Sequence, residues 1–180
     1  MAENKENVKF EPYIKPEQKM PEITLRAIIL GALISIVFGV ANAYLGLKVG
    51  MTICASIPAA VISMAVLRGI LKTGTVLENN MVQTIGSAGE SLAAGIIFTI
   101  PALYLWGIDP GLFKIAIVGC LGGLLGVLFM IPLRRYLISA EHGKLPYPEG
   151  TACAEVLVAS DAGGSKAKTV FAGLGAGLVF

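Results

Sequence analysis

Glu90 stands inside a run of 30 residues, 79–108, that carries no other charge. In a bilayer such a carboxylate costs about 2.5 to 3.5 kcal/mol on insertion scales unless it faces protein or water. Wound as a helix, Gln83, Ser87, Glu90 and Ser91 fall on one face, while Ile85, Leu92 and Ile96 point largely elsewhere. A polar stripe through an apolar segment lines something wet, so Glu90 is read as a cavity-facing carboxylate that binds substrate or carries a proton. The alternative places Glu90 at a membrane interface, with its side chain among headgroups.

A second group follows Leu145-Pro146-Tyr147-Pro148-Glu149-Gly150-Thr151. The X-Pro step favours an extended lead-in and Gly150 permits a sharp entry into a helix. Thr151 and Glu155 then lie one turn apart on one face. If this short helix ends inside the protein, its N-terminal N–H groups and dipole could hold an anionic group. If it lies in a cytoplasmic loop, it is an amphipathic connector. The residues alone leave both readings open.

Other chemistries lack their residues. No GxSxG, HExxH or P-loop pattern occurs, and a single histidine, His142 in a charged stretch, leaves little general acid–base apparatus. No enzyme activity, cofactor or metal site is expected. Cys54, Cys120 and Cys153 are widely spaced without CxxC pairing and read as small packing residues. A net charge of +2, with no basic stripe, excludes a nucleic-acid surface.

The elements that must position these groups are helices in lipid. Apolar residues make up 55% of the chain and charged residues 14%, with a mean hydropathy of +0.76, a balance that suits a bilayer as solvent. The expected fold is all-α, a polytopic transmembrane bundle with broken or re-entrant segments. Residues 1–22, with Pro12, Pro16 and Pro21 among lysines and glutamates, read as a solvated cytoplasmic tail. Spans are expected near 24–47, 49–67, 80–108 and 115–133, the second with a kink at Pro58. Ala41-Asn42-Ala43 resembles a signal-peptide cleavage site, but the long polar lead before it argues for an uncleaved span.

As one straight helix, the third segment would be about 45 Å long against a hydrocarbon core of about 30 Å. A tilted, broken or partly re-entrant segment is therefore expected, with breaks at Gly86 and Gly89 and a kink at Pro101. A short or re-entrant helix is expected near 149–160. A last apolar run from 169 reads as a span cut short, so the rest of a longer chain is an expected partner. Gly31, Ser35, Gly39 and Ala43 recur at four-residue spacing, as do Gly119 with Gly123 and Gly122 with Gly126, and each series offers a flat stripe for a neighbouring helix. With a cytoplasmic N-terminus, ten Lys and Arg gather on the inner side and only Lys48 and Lys114 on the outer, before the uncertain fifth segment. If that segment is re-entrant, Lys166 and Lys168 join the inner side.

Three stretches together resemble the oligopeptide transporter (OPT) family, in its prokaryotic branch related to the yellow stripe-like transporters: ANAYLGLKVGM at 41–51, ENNMVQTIGSAGE at 78–90 and LPYPEGTA at 145–152. Each is weak alone, but their order and spacing cover most of residues 24–160. The resemblance implies a longer polytopic protein of repeated multi-helix units that imports oligopeptides or metal chelates, coupled to protons. Its seat would be the cell (inner) membrane, with Gln83, Ser87, Glu90, Glu149, Thr151 and Glu155 along the substrate or proton pathway. The contrasting expectation is a non-transporting membrane scaffold or subunit whose polar stripe binds a partner helix.

Overall fold

The computed structural model describes residues 12–15, 17–141, 144–162 and 164–179, and among them every regular element is helical. Most of the expected tail, residues 1–11 and 16, and also His142 lie outside the described residues, as do the side chains of Lys166 and Lys168. The architecture is an all-α transmembrane bundle. Among the described residues, three helices are long and apolar enough to cross a membrane: α1 (Leu25–Val49), α3 (Val76–Leu105) and α4 (Gly111–Arg134), the last prolonged by π-helical turns to Ala140. Shorter helices are α2 (Ser56–Met64), which continues as π-helix through Ala65–Ile70, α5 (Pro148–Ala162) and α6 (Gly164–Val179).

The chain divides into two units, one built on α4 and the other on the remaining five helices. In the α4 unit, Tyr147 donates its hydroxyl to the Leu137 carbonyl oxygen at 3.1 Å, tying the returning chain to the helix end. Among the described residues, nothing lies within 4 Å of a Cβ placed on Gly122, Gly123 or Gly126, so this stretch of the α4 stripe is open in this chain.

The five-helix unit is organised by α1 and α3, which run side by side in the same direction. Both starts are capped. The Thr24 hydroxyl accepts from the Ala27 N–H, and Thr75 forms a reciprocal capping box with Glu78, each accepting the other's backbone N–H at 3.1 Å. Helix α1 ends where Gly50 takes a left-handed conformation, φ 75°, and returns its N–H to the Gly46 carbonyl. We predict that Thr75→Val lowers stability by about 1 to 2 kcal/mol through the lost cap, while Thr75→Ser stays near wild type. Denaturant titration of the detergent-solubilised full-length protein, followed by helix content, checks this; equal midpoints for Val and wild type would rule the cap out as a stabilising contact.

Small residues set the distance between α1 and α3. A Cβ added at Gly31 would come within 2.9 Å of Ile85, one at Gly86 within 2.8 Å of Ile34, and one at Gly46 within 3.0 Å of Ile97. Glycine on one helix thus receives isoleucine from the other in both directions, and the backbones approach closely. Ala27, Ile34, Ala59, Leu67 and Val82 form the apolar centre of this contact, with α2 laid against both helices.

Two expectations about breaks are corrected. Helix α3 is continuous from Val76 to Leu105 and passes through Gly86, Gly89 and Pro101. Its glycines make room for α1 and do not interrupt hydrogen bonding. The interruption falls instead in the second apolar run, where residues 51–55 are non-helical and α2 begins only at Ser56. Pro58 therefore sits in the first turn of a helix, where its missing N–H costs nothing, and marks a start, not a kink in a longer span.

Candidate functional site

The start of α2 lies deep in the five-helix unit. Helix α2 runs opposite to α3, so Ala55 and Ser56 meet Glu90 and Ser87, while Ser63 near the other end meets Asn79. Residues 51–55 descend from the end of α1 to this level without helical hydrogen bonds. Backbone polar groups at such depth need partners from the protein. Two side chains supply them. Asn42 of α1, 2% exposed, donates from Nδ2 to the Ile53 carbonyl oxygen and accepts the Ile53 N–H at Oδ1, both at 3.0 Å. Glu90 of α3, 8% exposed, accepts the Ala55 N–H at Oε2, 2.9 Å away.

Glu90 thus places a carboxylate at the positive end of α2, where helix N–H groups favour negative charge. One turn earlier on α3, Ser87 shares a hydrogen bond of 2.9 Å with Ser56, the first residue of α2. Asn79 completes the seam by accepting from the Ser63 hydroxyl at 2.7 Å and donating to the Thr75 carbonyl oxygen. Gln83 lies between them, half-buried, with its Oε1 3.4 Å from the Thr84 hydroxyl. Ser91, expected on the same face, is exposed.

Helix α5 lies parallel to α2. The Cys153 thiol is 3.8 Å from the Ser56 carbonyl oxygen, and Cys153 and Leu157 pack with Ala60, Val61 and Met64. Farther along, Asp161 pairs with Arg68, which also donates from Nε to the Gly74 carbonyl oxygen. The opposite face of α5 is open, and there Thr151 and Glu155 line one hollow of about 430 Å³ with Ala154, Val158, Ala159 and Ala162. Glu149, in the first turn, is exposed. Ser87 and Glu90 are therefore joined at the start of α2, whereas Thr151 and Glu155 face a separate hollow.

A larger cavity of about 770 Å³ opens between α1, α2, α5 and α6. Phe38, Ile53, Ile57, Val61, Val156 and Val170 supply much of its wall. Its volume is in the range of small-molecule sites. Glu90 is in the wall of neither cavity, because its carboxylate is turned into the α2–α3 contact.

Residue-level reading missed Asn42, Glu78 and the Arg68–Asp161 pair. Asn42 was visible as a polar residue inside the first span, the same signal that singles out Glu90. Glu78, 0% exposed, accepts from the Thr24 hydroxyl at 2.6 Å and from Arg26 at 2.9 and 2.8 Å; the Thr75-x-x-Glu78 spacing announces its capping role but not its ion pair. The Arg68–Asp161 pair joins residues 93 positions apart, with no local pattern to reveal it.

Residues 22–180 match the sequence profile described as OPT oligopeptide transporter protein. A Haemophilus influenzae protein named "Putative oligopeptide transporter" is 48% identical over 141 residues, covering 76% of this chain and 22% of that protein. An iron-phytosiderophore transporter of Oryza sativa subsp. japonica is 32% identical over 163 residues, covering 76% of this chain and 24% of the relative. A Saccharomyces cerevisiae protein, also named "Putative oligopeptide transporter", is 29% identical over 164 residues, covering 79% and 22%. The chain spans less than a quarter of the length of these relatives. No solved structure matches.

Proposed function

The chain belongs to the OPT oligopeptide transporter family, and on that premise we propose that it forms part of a secondary active transporter importing oligopeptides or metal chelates across the cell (inner) membrane, coupled to protons. The observation that carries this reading is the interrupted second segment, with a helix starting deep in the bundle against the buried carboxylate of Glu90. Discontinuous helices of this kind build substrate and coupling-ion sites in transporters, because their ends present unpaired backbone groups away from lipid.

Glu90 is the proton or substrate carboxylate in this proposal. Ser87 and Gln83 lie beside it on α3, while Glu149, Thr151 and Glu155 of α5 are proposed as a second, separate polar group of the pathway. The N-terminus is cytoplasmic, which puts Arg68 and Lys72 with the basic inner side. A scaffold whose polar stripe awaits another protein has less to recommend it, since Ser87 and Glu90 already bond to α2 of the same chain.

The full-length transporter in proteoliposomes tests the proposal, with uptake of tetra-alanine and of an iron chelate measured under an inward proton gradient. Glu90→Gln retains an oxygen to accept the Ala55 N–H but has no proton to exchange. It is expected to lose concentrative uptake by about tenfold or more and to flatten the pH dependence. Unchanged pH dependence in Glu90→Gln would remove Glu90 from coupling. No concentrative uptake of either compound by wild type would favour the scaffold.

A further inference from the structure

Asn42 has no place in the pathway proposed above, yet its side chain makes a bidentate contact with the backbone of Ile53. Its amide plane faces the Ile53 peptide groups and satisfies the N–H and the carbonyl oxygen together, both at 3.0 Å. This is the pairing a neighbouring β-strand would offer, supplied here by a helix side chain. Two residues on, the same segment delivers the Ala55 N–H to Glu90. The segment therefore has two fixed points, one on α1 and one on α3, with Cys54 between them.

The non-helical state needs this support. A largely apolar stretch in a membrane protein lowers its free energy by winding into helix, because winding satisfies its backbone groups internally. Asn42 removes that incentive at Ile53. It also fixes the Ile53 backbone, and the Ile53 side chain stands in the wall of the cavity of about 770 Å³. One buried amide thus sets both a cavity wall and the approach of the chain to Glu90.

We infer that Asn42 is a positioning residue for transport: its bidentate grip on Ile53 holds residues 51–55 unwound, and through them sets the Ala55–Glu90 contact and the Ile53 wall. The transport part of this inference rests on the function proposed above. The grip itself does not.

Cys54 is exposed and reports on the segment directly. The experiment uses the full-length transporter with Cys120→Ala and Cys153→Ala, and with any other cysteines replaced, so that Cys54 alone reacts. The labelling rate of Cys54 with a small maleimide and the kinetics of tetra-alanine uptake are measured for Asn42→Leu and Asn42→Asp. Leucine offers no hydrogen bond, whereas aspartate keeps the acceptor for the Ile53 N–H at nearly the same size. Asn42→Leu is expected to change the labelling rate by about tenfold or more and to lower kcat/KM by a similar factor, since the Ile53 N–H and carbonyl oxygen both lose their partner. Asn42→Asp is expected to fall between Leu and wild type in both measurements, and it keeps the test decisive if Leu does not fold.

Wild-type labelling in both variants would overturn the inference, as would altered labelling with unchanged uptake kinetics. If wild type carries no tetra-alanine, the transport reading fails at that probe, and a tenfold labelling shift still upholds the grip.

Discussion

A single methyl group at Gly89 is expected to force α1 and α3 apart. The added Cβ would lie 1.7 Å from the Ser35 hydroxyl oxygen, 2.8 Å from Ser35 Cβ and 3.0 Å from the Ser35 carbonyl oxygen. Rotating Ser35 relieves the first contact only. The other two involve atoms fixed by the α1 backbone, so the helices must separate. Separation loosens the apolar centre and also draws the Asn42 and Glu90 anchors away from each other. Overpacking a tight contact costs typically about 1 to 3 kcal/mol, and Gly89→Ala is placed at the upper end because backbone atoms are involved.

The control is compensation across the same contact. Ser35→Gly combined with Gly89→Ala moves the methyl group from one helix to the other and removes two of the three close approaches. It should recover most of the stability lost in Gly89→Ala. Unfolding of the solubilised full-length protein, monitored by helix content, decides the matter. If Gly89→Ala unfolds with wild-type stability, the helices do not sit as close as described.

The second large effect is expected at the other end of the same helix pair. Glu78 is fully buried, and it accepts from Thr24, Arg26 and the Thr75 N–H together. Arg26 extends the group by donating to the Thr73 carbonyl oxygen at 2.9 Å. The cluster thus ties the start of α1 to the start of α3 and to the turn before it. Glu78→Leu is expected to cost about 2 to 3 kcal/mol, through the lost capping box and its buried hydrogen bonds.

Arg26→Leu gives an ordering that tests the charge. Removing only the cation leaves a buried carboxylate without its counter-ion, which is more damaging than removing both partners. The double variant Arg26→Leu/Glu78→Leu should therefore be more stable than Arg26→Leu alone. Strict additivity of the two single losses would mean that the ion pair contributes nothing beyond its separate parts.

The apolar runs and their charged ends, read along the sequence, determined that the protein is helical and lives in a membrane, because hydrogen-bond satisfaction in lipid leaves an apolar segment few alternatives to helix. The same reading identified Glu90 and Ser87 as belonging together, since helical periodicity is a local property. It also identified Gly31, Ser35 and Gly39 as a packing stripe, and α3 packs on that stripe. The OPT resemblance was legible as well, carried by polar motifs that generic apolar helices do not contain.

The position of the chain break was not legible. Glycines at 86 and 89 and the length of the third run pointed to α3, because sequence spacing cannot tell a glycine that interrupts a helix from one that admits a neighbour. Only the packing of Ile34 and Ser35 against those glycines decides the case. The second run looked helical throughout because every residue from 51 to 55 tolerates helix. What holds it out of helix is a pair of side chains distant in sequence, Asn42 and Glu90, 11 and 35 positions from their backbone partners. Local propensity determined where helices form in this protein. Long-range hydrogen bonds to Ile53 and Ala55 decided where one of them begins.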